Sequence, residues 1–362
     1  MNDKNSIIEY YRKNICIAIN NYTFKQAGIT CHAMPTWERC MQGHIGITPS
    51  TTSKQHAEKI FLLGEHLRDV FYSTKDTTST GRNQGELSSG GYLWERLVAY
   101  YLNYCLANTR TVVFTGATSF DAIKTAVTFN DMDSTSEVDL LALTFPDVPE
   151  FTNAINNVKY NLQVTYPTPE ATPTQLEFIH NNRLGIKTIT EKLANYFISE
   201  YYSDMEIHVI QCKTNWNDII QTPMLWSLVY YLSRDNITLP TGSNIRFGSG
   251  LYTLPRLKSF SYSFVTVPTQ NNGKYEPNPI KRAKLEADFD DKFSETNLPV
   301  KRAKMIRGGY YWGLPKHNSI YPINELFNTN LNTGYTGHIV DNIQDNIDHN
   351  RYNTDYDYFC HI

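Results

Sequence analysis

No apolar run in this 362-residue sequence reaches the roughly 18 residues a membrane-spanning helix needs, so no span is expected. The first residues, MNDKNSIIEYYRKN, lack the long apolar stretch of a secretory signal. Cysteine is scarce: six are scattered without the spacing of a small disulfide scaffold. They read as reduced thiols in a cytoplasmic protein. Cys31, His32, Cys40 and His44 fall close together, but Cys-His-x7-Cys-x3-His matches no compact zinc pattern, so zinc is not expected there. No Gly-x-Ser-x-Gly elbow appears, which argues against an α/β-hydrolase. The glycine-rich GRNQGELSSGG (81–91) lacks a Gly-Lys-Ser/Thr ending, so no ATP site is inferred.

Neither sign of charge dominates. Lys and Arg number 33 against 36 Asp and Glu, a net −3. No polyanion partner is announced by overall charge, but a local basic stripe is enough for one. Residues 271–310 hold nine Lys/Arg against six acids, including the near-copies PIKRAK (279–284) and PVKRAK (299–304). In VKRAKMIRGGYYWG, Lys301, Arg302, Lys304 and Arg307 alternate with Tyr310, Tyr311 and Trp312. Such a mixture suits phosphate and stacking contacts. It equally suits a solvated basic strand whose aromatics join a core. From Asp341 onward the balance reverses, with five Asp against Arg351.

Periodicity divides the chain into three expected regions: a helical one over 1–84, a core over 85–240 and a β-rich, partly basic one over 241–362. SKQHAEKIFLLGEHLRDVFY places Ile60, Leu63, Leu67, Val70 and Phe71 on one helical face. TKDTTSTGRNQGELSSGG (74–91) reads as a loop, and YLWERLVAYYLNYCL (92–106) as a helix with Trp94, Leu97, Val98, Tyr101, Leu102 and Cys105 on its apolar stripe. TRTVVFTG and KTAVTF look like short strands. STSEVDLLAL ends in one that faces Val138, Leu140 and Ala142 one way and Asp139 and Leu141 the other. YPTPEATPTQ (166–175) is a hinge or exposed loop, and TITEKLANYFISEYY a helix opened by a Thr188-x-x-Glu191 capping box. EIHVIQCK is a strand and DIIQTPMLWSLVYYL a buried helix, while SFSYSFVTVP heads the short β segments that follow. Strands and helices alternate in the middle, so the fold class is α/β with a mixed sheet.

The chemistry gathers around EIHVIQCK. Gln211 and Lys213 share a side of that strand with Ile207 and Val209, while His208, Ile210 and Cys212 point the other way. A buried ammonium needs an acid. The acids in apolar contexts are Asp139, within EVDLLAL, and Glu95, within YLWERLVAYY. Two carboxylates, an amide oxygen and a lysine suit a hard divalent cation such as Mg2+, which takes oxygen ligands and retains waters. A water activated by the ion would be the nucleophile, with Lys213 placing it or offsetting developing charge. A structural ion pair between Lys213 and Asp139 is the simpler alternative.

The order helix Glu95, strand Asp139, then Gln211-x-Lys213 resembles the PD-(D/E)XK nuclease superfamily, and within it type II restriction endonucleases. The resemblance covers roughly 85–235. It implies a mixed-sheet nuclease core in which Glu95, Asp139 and Gln211 hold Mg2+ and Lys213 assists hydrolysis of a DNA phosphodiester. Gln211 stands where the family commonly has Glu. A long insertion, about 144–187, separates strands that the family commonly joins by a short turn. The implied partners are double-stranded DNA, a second copy of the chain and a cognate methyltransferase. Asn215 and Asn217 would approach the DNA backbone, whereas Asp218 more readily caps the next helix. Lys301, Arg302, Lys304 and Arg307 would add phosphate contacts. Alternatives are a non-catalytic DNA-binding or defence-complex subunit on the same fold, and a repair nuclease.

Overall fold

The computed structural model of the chain describes residues 2–26, 28–74, 84–116, 118, 120–126, 138–155, 186–213, 248–266, 323–359 and 362. Helix α1 (Ile7–Asn20) starts where the Ser6 hydroxyl accepts the Glu9 N–H. A hairpin of β1 (Thr23–Gln26) and β2 (Ile29–His32) follows, then α2 (Met34–Ile45), α3 (Ser53–Leu62) and α4 (Leu67–Ser73). The long α5 (Gln84–Cys105) leads to β3 (Thr111–Thr115), α6 (Asp121–Ala126) and β4 (Leu140–Thr144). Next come α7 (Ile186–Glu200), β5 (Glu206–Lys213), β6 (Ser259–Thr266) and, near the C-terminus, α8 (Ile339–Asp348).

The main sheet has the order β3-β4-β5-β6. The first two pairings are antiparallel and the last is parallel, so the sheet is mixed. A parallel neighbour needs a crossover of a dozen or more residues, and the stretch from 214 to 258 supplies the length. Strand residues alternate between two cores, as in a sheet covered on both faces. Val113, Leu140, Ala142, Ile210, Cys212 and Val265 pack under α5 with the N-terminal helices and the C-terminal segment. Val112, Phe114, Leu141, Leu143, Ile207, Val209 and Tyr262 face Ile7 and Ile8 of α1, Ile123 of α6 and Leu193 and Phe197 of α7.

α5 is buried nearly all round from Leu97 to Cys105, which makes it the central helix of the first core. It begins at Gln84, within the stretch expected as a loop. The apolar turns after Leu93 carry the cost of nucleation, and each added residue then gains one hydrogen bond. The Ile60, Leu63, Leu67, Val70 and Phe71 face is buried as expected, but the helix breaks at Leu63–Glu65 into a 3-10 turn between α3 and α4. Gly64 sits in that break. A Cβ there would lie 2.7 Å from the Tyr101 hydroxyl and 2.9 Å from Asn324, so α5 and the C-terminal segment can close on the turn only over glycine.

Other local expectations change. KTA of the expected strand KTAVTF ends α6, because Ile123 and Ala126 are buried at helical spacing; short apolar runs do not discriminate helix from strand. Thr188 lies inside α7 rather than at its cap. The β-rich C-terminal region holds β6, but its described part beyond 322 is helical. There Ile339, Val340 and Ile343 of α8 bury one face against α3 and α5, which outweighs the weak helix propensity of the surrounding Asp and Asn. The first core also joins residues of all three expected regions, from Cys16 through Leu97 to Ile362.

Candidate functional site

β4 and β5 are neighbours in antiparallel register, with Leu140 opposite Ile210. One step beyond that pair, Asp139 and Gln211 meet although 72 positions separate them in sequence. They stand on the side of the sheet that carries Leu141 and Val209. The Gln211 Nε2 donates to Asp139 Oδ2 at 2.5 Å, and the Cys212 backbone N–H donates to the same oxygen at 2.8 Å. The carboxylate thus takes up a strand N–H where the ladder of β4 runs out. On the other side, the Gly116 N–H donates to the Asp139 carbonyl at 2.7 Å.

Gln211 is 1% exposed, and its Oε1 has no hydrogen-bond partner among the described residues. The amide orientation follows from Asp139, since only the NH2 end can donate to a carboxylate. A buried carbonyl oxygen without a donor costs on the order of 1–3 kcal/mol, so its place beside a carboxylate asks for a cationic or donor partner. The donors here are oxygens, which suits a hard cation of the Mg2+ class.

Glu95 is half-buried on α5. The Asn103 amide fixes the register of that helix, accepting the Val113 N–H at 3.0 Å and donating to the Val113 carbonyl at 2.8 Å. Eight residues earlier, roughly 12 Å back along the helix, Glu95 lies toward the end of the sheet that holds Gly116, Asp139 and Gln211. α5 packs on β3 and β5 from the opposite face, however. Nearby, burial raises the Tyr22 phenol pKa, the Arg96 guanidinium opposes this, and Glu95 adds to the rise.

The backbone of Lys213 ends β5 opposite Thr266 of β6; its side chain lies outside the described residues. So do Asn215, Asn217, Lys301, Arg302, Lys304 and Arg307, together with YPTPEATPTQ and DIIQTPMLWSLVYYL. The structure therefore brings Asp139 and Gln211 into contact, whereas Glu95 stands on α5, which covers the other face of the sheet. Sequence reasoning missed the Cys212 N–H, which fixes the carboxylate; its only signal was the register that pairs Asp139 with Gln211. It also passed over His208. This buried imidazole contacts the Ser261 hydroxyl on the other face of β5, and burial pushes its pKa down to about 3.

Comparison of the chain with protein-family profiles, with curated proteins and with solved structures gave no match.

Proposed function

We propose that the chain is a Mg2+-dependent endonuclease that cuts double-stranded DNA at a specific sequence, in the manner of type II restriction enzymes. The observation that carries this reading is the Asp139–Gln211 contact, with a buried amide oxygen that has no donor among the described residues. The mixed sheet supports it as well. Despite the long connection, the strands of Asp139 and Gln211 are neighbours, which the resemblance requires.

In this reading Asp139, Gln211 Oε1 and Glu95 hold Mg2+. The ion, when bound, supplies Lewis acidity and offsets phosphate charge. Asp139 is oriented for this by the Cys212 N–H and the Gln211 amide, which both donate to its Oδ2. Lys213, two residues along the same strand, places the attacking water or offsets charge at the scissile phosphate. The basic segment around Lys301, Arg302, Lys304 and Arg307, with Asn215 and Asn217, grips the backbone. Cutting both strands of a palindrome calls for a two-fold pair of chains.

A second reading has its own support. Gln211 and the Cys212 N–H both donate to one Asp139 oxygen and so hold the strand ends together directly, which suits a DNA-binding subunit that does not cut. Incubation of the purified chain with phage-lambda DNA, with Mg2+ or with chelator, separates the two. Discrete fragments dependent on Mg2+ are expected. A mobility shift without fragments would favour the second reading, and a smear a nuclease without sequence preference.

A further inference from the structure

A second group of ligand-type side chains lies far from the strand ends, at the junction of α2 and α4. His44 stands in the last turn of α2, which ends at Gly46 in the left-handed conformation. His66 directly precedes α4, and Asp69 lies in its first turn. The two imidazoles stack with centroids 4.5 Å apart and planes 17° from parallel. His44 Nε2 and His66 Nδ1 each lie 3.9 Å from Asp69 Oδ2. The three ligand atoms are within 4.8 Å of one another, the only such His/Cys/Asp/Glu group among the described residues.

We propose that His44, His66 and Asp69 form a binding site for a borderline divalent cation of the zinc class. Two imidazole nitrogens and one carboxylate oxygen are the donor types this class prefers, whereas Mg2+ favours oxygen throughout. Tetrahedral zinc at about 2.0–2.1 Å from each donor sets them roughly 3.3–3.5 Å apart. These exposed side chains can close that gap by small rotations. The scaffold beneath them is fixed: Trp37, Met41 and Ile45 of α2 and Leu67, Val70 and Phe71 of α4 lie in one core.

Cys40, one turn before His44, is not among the side chains whose ligand atoms converge. A three-residue site leaves a position for water or an outside ligand. The His66-x-x-Asp69 spacing was visible in sequence. Its partner His44 was not, because only the break at Gly64 brings α2 and α4 together.

This site does not depend on the nuclease reading. Calorimetric titration of Zn2+ into the full chain tests it. The wild type should bind one equivalent more than His66→Ala or Asp69→Asn, with circular dichroism of the variants unchanged. Asp139→Asn should keep that equivalent, and excess Mg2+ should not displace it. Equal binding by wild type and both variants, or displacement by Mg2+, would overturn the proposal.

Discussion

Two polar pairs in this chain are built on opposite terms. Glu9 and Arg12 are both buried, and every polar side-chain atom of the pair has a partner. Arg12 donates to both Glu9 oxygens and to the carbonyls of Thr109 and Thr111, the latter two at 2.7 and 2.9 Å. Glu9 also accepts from Asn2 and Tyr358. The pair ties α1 to the start of β3 and to the C-terminal segment. Asp139 and Gln211 are likewise held to each other, yet one buried oxygen of Gln211 has no donor among the described residues. A completed network fixes a fold; an incomplete one is where an outside group would add most.

The largest expected effect breaks the completed pair. Arg12→Ala leaves the Glu9 carboxylate buried without its cation and should cost about 3–5 kcal/mol of stability. Asp139→Asn keeps an oxygen for the Cys212 N–H and should cost about 1 kcal/mol. Urea unfolding of both variants measures the contrast, and equal losses would erase it.

His208 supplies an intermediate case, since it is buried with Nε2 lacking a partner among the described residues. Its pKa is pushed down to about 3 from 6.5, so the unfolded chain binds the proton more readily. Its contribution is complete above pH 6.5 and is lost as pH falls toward 3. Between pH 7 and pH 5 the loss should be about 2 kcal/mol. His208→Gln should remove that part of the pH dependence, read as the difference from wild type in urea unfolding at the two pH values.

A change in ligand binding rather than in stability sharpens the incomplete pair. Gln211→Glu puts a carboxylate where the amide oxygen has no donor and should raise Mg2+ affinity without DNA by about tenfold, ~1.4 kcal/mol. Calorimetric titration of Mg2+ into the two proteins checks it. No change would mean that Gln211 is a hydrogen-bonding neighbour and not a ligand.

Much of the incomplete pair was legible. Alternation in EVDLLAL and EIHVIQCK assigned each residue to a face, and those faces match the two cores except at Val138, which precedes β4 and packs with Leu141 rather than with Leu140 and Ala142. The mixed α/β class followed from the alternation of element types. Pairings between distant segments were less accessible. IIEYYRKN shows Glu9 and Arg12 at i,i+3, but nothing local says that Thr109, Thr111 and Tyr358 complete them. Likewise, the sequence from Asp341 shows only its excess of Asp, whereas Ile339, Val340 and Ile343 place it in a helix packed on α3. Tertiary burial decided these cases, and local propensity did not.

The most direct test of the proposed strand-end site is Lys213→Ala, with DNA cleavage and DNA binding measured on the same preparation. Cleavage in Mg2+ should be abolished while binding is largely retained, because affinity rests on phosphate contacts spread over a wide surface. Cleavage at the wild-type rate, or comparable loss of both in a folded variant, would contradict it.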